Sequence, residues 1–158
     1  DLLLELPVRP TRGAVHESVR SHQQLVDEGV AQEAGISTLI EQIDIARGIL
    51  GDKLIAVQNQ YSPIYLPADT LEYTAKVGLN FVCWSPLGGF RKPKDETKFD
   101  PFREIAAARG VSYQQVVLAW RLAKGDHVFV IPGATLETIL DSLHAGDLEL
   151  TPDELVGF

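Results

Sequence analysis

The chain has 158 residues, 45% hydrophobic and 23% charged, values typical of a globular protein with one sizeable core. A net charge of −8 argues against a general surface for nucleic acids or anionic membranes, and no apolar run approaches the roughly 18 residues that span a bilayer. Cys83 is the single cysteine, so we expect a buried free thiol and a reducing, cytoplasmic location.

Short apolar runs alternate with helical patterns along the whole chain. Strands are predicted at Leu2–Leu6, Ala31–Ser37, Leu54–Asn59, Asn80–Ser85 and His127–Ile131. Helices are predicted at His16–Gly29, Leu39–Leu50, Pro67–Val77, Pro101–Arg109, Tyr113–Lys124, Leu136–His144 and, after the capping box that opens at Thr151, at the end of the chain. Each strand is followed by a helix and no hairpin interrupts them, which predicts a parallel sheet covered by helices in one domain, residues 1–158.

Ligands of parallel βα sheets bind at the carboxyl ends of the strands, so the residues that end each run are the candidates. Gln58, Asn59 and Gln60 follow one another there, and their amides either satisfy neighbouring loop backbone or bind a ligand amide. Trp84 precedes a turn with two glycines. It is either core, or a ring that stacks on a flat ligand while the glycine backbone approaches a phosphate.

Charged residues near these positions are read in two ways. The basic loop Arg91–Lys94 is either solvated or a phosphate clasp. From Gly125 onward there is no Lys or Arg, so the helix N-terminus after Pro132-Gly133 is a generic anion site without a compensating cation. The four histidines, His16, His22, His127 and His144, are expected at surface or boundary positions. The sequence shows neither metal-ligand spacing nor a nucleophile–base pair.

Several segments taken together resemble the aldo-keto reductases. The resemblance implies a (β/α)8 barrel that reduces aldehydes and ketones with a nicotinamide cofactor, usually NADPH. The chain is then an α/β protein, a partial (β/α)8 TIM barrel of about five βα units with an extra helix before the last strand. The segments that carry the resemblance occur in the family's order: LVDEGVAQEAGIST, VQNQYSP, TAKVGLNFVCWSPLGG, the helix pair from Phe102 to Lys124, VFVIPGAT and DLELTPDEL.

The resemblance also assigns a cofactor role to individual residues. Trp84 corresponds to the aromatic residue that stacks on the nicotinamide, and the backbone of Ser85, Leu87 and Gly88 to the part that holds the pyrophosphate. Side chains that bind the carboxamide correspond to Ser37 and Gln58. Thr38 stands where the family usually has Asn.

Other positions depart from the family pattern. The resemblance starts at the fourth strand, so the first three βα units and the catalytic Asp, Tyr and Lys are absent. Leu6 aligns with the fourth catalytic residue, a His. Thr138 stands where an Arg often binds the adenosine 2′-phosphate, and Asp141-Ser142 where Glu-Asn or Gln-Asn meets the adenine, which implies weakened binding of that end of NADPH or NADH.

Five βα units do not close an eight-stranded barrel, and its open edges are an aggregation hazard. Glu5, next to Leu6, is then solvated, or paired with a partner that the chain does not show. Two copies of the chain, or a missing N-terminal half, would cover the edges.

Three functions remain open. The first is an aldo-keto reductase-like protein that lacks the catalytic tetrad and is inactive alone on a small-molecule carbonyl substrate. The second is a non-catalytic binder of a small molecule or nucleotide, or an oligomeric scaffold. The third is an enzyme of changed chemistry, an isomerase or dehydratase. Glu33 is either a candidate group for that chemistry or a polar residue at the lower end of the barrel.

Overall fold

The structure is a computed structural model that describes residues 3–7, 12–89, 96–133 and 135–156, with side chains from residue 15 onward. The chain divides into two compact units. The first consists of Asp1–Asn59 and Ala68–Val82, and the second of Gln60–Pro67 and Cys83–Phe158. One domain over residues 1–158 stays a prediction.

Strands and helices follow each other in the predicted order, with shifts at their ends. Strand β4 ends at Trp84, because Ser85 adopts a left-handed φ of 48° that a strand does not continue. Helix α5 ends at Leu122, three residues before Gly125 with φ 149°. The elements are β1 (Leu3–Pro7), α1 (Arg12–Asp27), β2 (Glu33–Ser37), α2 (Ile40–Leu50), β3 (Leu54–Gln60), α3 (Ala68–Val77), β4 (Asn80–Trp84), α4 (Asp100–Arg109), α5 (Tyr113–Leu122), β5 (Val128–Ile131), α6 (Leu136–Leu143) and α7 (Pro152–Val156).

Hydrogen-bonded neighbours in the sheet follow chain order, β1-β2-β3-β4-β5. The pairs β1–β2 and β2–β3 are parallel, as the alternation of strands and helices predicts. Strand β4 crosses from one unit to the next, since Val82 ends the first unit and Cys83 continues the second. The extra helix is present, because α4 and α5 both lie between β4 and β5 in the chain.

The first unit has an aliphatic core. Val15 and Val19 of α1 and Ile43 and Ala46 of α2 are fully buried, together with residues of β2 and β3. The expected surface or boundary position is wrong for His22, which is fully buried. His22 follows Val15 and Val19 at helical spacing on the buried face of α1, and its Nδ1 lies 2.7 Å from the carbonyl oxygen of Ser18.

The second unit has an aromatic core. Phe102 packs edge-on against Trp120, with ring centroids 5.1 Å apart, and Phe99 packs edge-on against Tyr113 at 6.1 Å. Ser112 caps α5 as predicted, since its Oγ accepts a hydrogen bond from the Gln115 backbone N–H at 3.1 Å. The capping box of α7 is also confirmed: Thr151 N–H donates to Glu154, and Glu154 N–H donates to the Thr151 hydroxyl.

None of the helices in the described ranges is long and apolar enough to cross a membrane.

Candidate functional site

In the second unit, the chain turns sharply where β4 ends. Ser85 has a φ of 48°, Gly88 of 98° and Gly89 of 81°. The Gly88 N–H donates to the Ser85 carbonyl oxygen at 2.9 Å, which closes the turn. Left-handed residues in a short turn direct backbone N–H groups to one side, and such concave backbone binds anions.

The two glycines of this turn are required by its geometry. A Cβ on Gly88 would lie 3.3 Å from Ile64 Cδ1, and one on Gly89 would lie 3.2 Å from Ser85 Oγ. Both positions also have positive φ values, which residues other than glycine rarely adopt. The side chain of Leu87 packs against the aromatic core, so this residue presents its backbone to the turn.

A pocket of about 530 Å³ lies beside the turn, within the volume range of small-molecule sites. Trp84 is 38% exposed, which excludes the alternative that its ring is core. The uncharged lining supplies an indole for stacking and glycine backbone for a phosphate, so these residues fit a nicotinamide with its pyrophosphate. The lining residues are Trp84, Ser85, Pro86, Leu87, Gly89, Ile131, Pro132 and Gly133.

In the first unit, Ser37 and Gln58 lie at the same level of two neighbouring strands. The residues that precede them, Ile36 and Val57, are register partners in the β2–β3 pair. Both side chains are half-buried. The parallel sheet therefore brings these two predicted carboxamide-binding residues together, whereas their role stays a prediction.

The neighbouring amide of Asn59 has a structural role. Its Nδ2 donates to the Thr38 carbonyl oxygen at 2.8 Å. Of the two predicted roles for the strand-end amides, the hydrogen bond to loop backbone is therefore confirmed for Asn59. The Thr38 hydroxyl donates to the side chain of Gln42. Glu33 is exposed at the start of β2, at the opposite end of the strand from Ser37.

Some predicted positions fall outside the described residues. The basic loop Arg91–Lys94 is among them, so neither the solvated loop nor the phosphate clasp is tested. Leu6, which the resemblance aligns with the family's catalytic His, pairs in register with Ile36. The side chains of Leu6 and of Glu5 also lie outside the description.

At the start of α6, the polar side chains are engaged within the second unit. Thr135 caps the helix and forms a reciprocal capping box with Thr138. Asp141 accepts hydrogen bonds from Ser112 Oγ and Gln115 Nε2, both at 2.6 Å. Thr138 and Asp141, which the resemblance aligns with the family's 2′-phosphate and adenine contacts, therefore have partners on the protein.

Sequence reasoning missed Arg121. Its guanidinium is fully buried between two rings, with Cζ 3.8 Å from the Tyr61 centroid and 3.6 Å from the Trp120 centroid. Its three side-chain nitrogens lack hydrogen-bond partners within the described part of the chain. Burial lowers the pKa of Arg121 to about 9. A signal was present, since Arg121 interrupts the apolar run VVLAWRL.

Cys83 is a buried thiol, as predicted. It is fully buried, and its Sγ donates to the Tyr61 carbonyl oxygen at 2.9 Å. Burial raises the pKa of Cys83 to about 11, although Arg121 acts in the opposite direction. A thiol that stays protonated is a poor nucleophile, so Cys83 packs rather than reacts. The described residues contain no cluster of His, Cys, Asp or Glu that could hold a metal ion.

Alternating strands and helices, parallel pairing and a pocket at the carboxyl ends of β4 and β5 define an α/β barrel-type protein with a small-molecule site. Comparison with known proteins identifies the family: the Aldo/keto reductase family model matches residues 6–156, and the chain belongs to this family of oxidoreductases. Pyridoxine 4-dehydrogenase of Escherichia coli is 28% identical over 149 residues, which cover 92% of this chain and 50% of that protein. NAD(P)H-dependent D-xylose reductase of Kluyveromyces lactis is 30% identical over 150 residues, 86% of this chain and 45% of that protein.

Solved structures agree on the fold. A thermostable aldo-keto reductase bound to epalrestat superposes with a TM-score of 0.86 at 24% identity, covering 98% of this chain and 57% of that one. A Gox0644 mutant in complex with NADPH superposes with a TM-score of 0.81 at 22% identity, covering 98% and 56%. The partial-barrel fold class is confirmed, and the chain spans about half the length of the curated relatives it matches.

Proposed function

We propose that the chain is the portion of an aldo-keto reductase, from the fourth strand to the last helix, that holds the nicotinamide cofactor. The observation that carries the proposal is the Trp84–Gly89 turn, which lines the pocket with an exposed indole and left-handed glycine backbone. In this proposal Trp84 stacks on the nicotinamide, and the backbone of Ser85, Leu87 and Gly88 holds the pyrophosphate. Ser37 and Gln58 bind the carboxamide.

The chain alone is proposed to bind the cofactor without reducing a carbonyl. A bound nicotinamide supplies the hydride, but proton transfer to the carbonyl oxygen needs an acid on the protein. Leu6 stands at the position of the family's His and has no proton to exchange. The remaining members of the tetrad belong to the half of the family that the resemblance does not cover, so small-molecule carbonyl turnover requires that half.

Selection for the 2′-phosphate of NADPH is proposed to be weak. The described residues that line the pocket carry no charged side chain, and the sequence has no Lys or Arg from Gly125 onward. Thr138 is engaged in the capping box of α6, and both carboxylate oxygens of Asp141 have partners on α5 or its cap. NADH and NADPH are therefore expected to bind with similar affinity. A cytoplasmic location is part of the same proposal.

Isothermal titration of the chain with NADH and NADPH tests the cofactor proposal. Trp84→Ala is expected to weaken binding about 5- to 150-fold, because ring stacking on one base contributes about 1–3 kcal/mol. Trp84→Phe keeps a ring and is expected to stay within about threefold. Tyr65→Ala, an exposed aromatic of the same unit that does not line the pocket, is the matched control and should leave binding unchanged.

Two outcomes contradict the proposal. If neither reduced cofactor binds, or if Trp84→Ala binds as the wild type does, then Trp84 does not hold a nicotinamide. If the chain alone oxidises NADPH when an aldehyde or ketone is added, then the catalytic part of the proposal is wrong. Loss of NADPH absorbance at 340 nm measures this second point.

A further inference from the structure

A further pocket lies in the first unit, at the amino ends of two strands. It is a groove of about 420 Å³ between the C-terminal ends of helices α2 and α3, where β3 and β4 begin. Ser37 and Gln58 lie toward the carboxyl ends of their strands, so the groove is separate from the residues proposed to hold the cofactor. We call this pocket the α2–α3 groove. Its lining residues are Arg47, Gly51, Asp52, Leu54, Ile55, Val77, Gly78, Leu79 and Asn80.

Two glycines keep the groove open. Gly51 follows α2 with a φ of 55°, and Gly78 follows α3 with a φ of 74°, as glycines that end helices commonly do. Apart from the immediate chain neighbours, a Cβ at either position would meet no atom of the described residues within 4 Å. Leu54 and Leu79 are buried and belong to the aliphatic core. The groove therefore has an apolar base that the core holds in place.

Arg47 supplies positive charge to the groove. It lies in the last turn of α2, and its side chain is 41% exposed. Its Nη1 lies 3.3 Å from Asp44 Oδ1, longer than the roughly 2.7–2.9 Å of a strong charge-assisted hydrogen bond. Asp44 also accepts a hydrogen bond from the hydroxyl of Tyr73, so these side chains join α2 to α3 beside the groove. The other N–H donors of the guanidinium are suited to a carboxylate, which they bind in a bidentate manner.

Asp52 and the helix ends supply negative charge. Asp52 is exposed in the short turn that joins α2 to β3. Both helices end at the groove, and the last turn of a helix presents carbonyl oxygens and the negative end of the helix dipole. The N–H groups of Gly78 and Leu79 donate to the carbonyl oxygens of Ala75 and Thr74, at 3.3 and 2.9 Å, and are therefore not available to an anion. An ammonium group suits this part of the groove.

The two opposite charges select the class of ligand. A simple anion would be attracted by Arg47 and repelled by Asp52, and a simple cation would meet the reverse. A molecule that carries both charges satisfies both residues. Ile55 and Val77 add half-buried aliphatic surface, and the Asn80 amide adds a neutral polar group, oriented by the bond from its Nδ2 to the Ile55 carbonyl oxygen at 3.1 Å. The groove volume lies within the range of small-molecule sites.

We propose that the α2–α3 groove binds a free α-amino acid with an aliphatic side chain. The Arg47 guanidinium holds the carboxylate of the amino acid. Asp52 and the carbonyl ends of the helices receive its ammonium group, and the aliphatic lining contacts its side chain. The proposal uses neither a nicotinamide nor the Trp84–Gly89 turn, so its failure is distinguishable from failure of the cofactor proposal.

Amide NMR spectra of the full 158-residue chain, titrated with L-leucine, test the proposal. Saturable shifts are expected at Gly51, Gly78 and Asn80 by about 10 mM ligand, a concentration at which a site of millimolar affinity is largely occupied. Isocaproate is leucine without its amino group, and isoamylamine is leucine without its carboxylate. Each is expected to bind at least about fivefold more weakly than L-leucine, because each leaves one charge of the groove without a partner.

Two variants assign the charges. Arg47→Gln should weaken L-leucine and isocaproate at least about fivefold and should not weaken isoamylamine. Asp52→Asn should weaken L-leucine and isoamylamine by a similar factor and should not weaken isocaproate. Lys53→Gln and Glu72→Gln are the matched controls, since both replace exposed charges of the same unit that do not line the groove. Each control should change the affinities less than about twofold.

Several outcomes overturn the proposal. Shifts that do not saturate, or that occur at the Trp84–Gly89 turn instead of the groove, do so directly. If isocaproate or isoamylamine binds as tightly as L-leucine, the groove takes a simple anion or cation. Equal weakening by Arg47→Gln and Lys53→Gln would reveal a general charge effect and also contradicts the proposal. The spectrum of each variant shows whether it folds, and if one does not, the three ligands on the wild type decide.

Discussion

The first unit packs an aliphatic core, whereas the second packs aromatic rings beside a buried guanidinium. In the first unit, the described residues bury polar groups of low desolvation cost, three threonines and His22, and no Lys, Arg, Asp or Glu. In the second unit, Arg121 is among the largest fully buried side chains. The difference shows that two parts of one βα chain reach close packing with different side chains. It also determines which substitutions each core tolerates.

The largest expected effect comes from the aromatic core. Phe102→Ala removes a ring that is 2% exposed and that contacts Trp120, and we expect it to lower the free energy of unfolding by about 3–5 kcal/mol. Ile43→Val in the aliphatic core removes one methylene and should cost about 0.5–1.5 kcal/mol. Urea unfolding followed by circular dichroism measures both.

Glu104→Ala, an exposed substitution on the same helix as Phe102, is the control and should stay within about 0.5 kcal/mol of the wild type. If Phe102→Ala costs no more than Ile43→Val, the aromatic cluster repacks around the lost ring. The contrast between the two cores would then be one of composition alone.

The second prediction concerns the buried cation. Arg121→Leu should raise the free energy of unfolding by about 1–4 kcal/mol, because it removes a desolvated charge that lacks hydrogen-bond partners in the described structure. Stacking on Tyr61 and Trp120 offsets part of that cost, about 2 kcal/mol for a desolvated cation. Arg121→Lys retains the charge without the planar stack and should be less stable than the wild type.

The pH dependence of this effect has a definite sign. Folding lowers the pKa of Arg121 to about 9, so both states are protonated below about pH 9 and the full penalty is present there. Above pH 9 the unfolded chain holds more protons, which stabilises the folded wild type as the pH rises. The advantage of Arg121→Leu should therefore be constant from pH 6 to 8 and shrink above pH 9. A variant that is less stable than the wild type at pH 7 would show that the stack outweighs desolvation.

The same contrast explains what could be predicted from the sequence. Apolar spacing predicted the positions of the five strands that the structure describes, because periodicity determines them. The strand-end rule selected Ser37, Gln58 and Trp84 as candidates from chain direction, and their role stays a prediction. The buried position of His22 was missed, because a histidine on an apolar helical face has no signal that separates burial from a boundary position. The ring sandwich around Arg121 was missed since Tyr61 and Trp120 are far apart in sequence, and only packing brings them together.

The smallest effect is expected for Glu154, a surface charge that pairs with Arg109. It lies in the same unit as the buried Arg121. Hydrogen bonds from Arg109 at 2.9 and 2.6 Å, and one from the Thr151 backbone, lower the pKa of Glu154 from 4.5 to about 2. A lowered carboxyl pKa stabilises the folded state above pH 4.5, and this contribution is lost as the pH falls toward 2. The stability of Glu154→Gln should therefore fall less steeply than that of the wild type between pH 4.5 and 2, as read from urea midpoints. Glu104→Gln on α4 controls for the lost charge. If the urea midpoints of the wild type and Glu154→Gln fall in parallel with pH, the Arg109–Glu154 contact does not persist in solution.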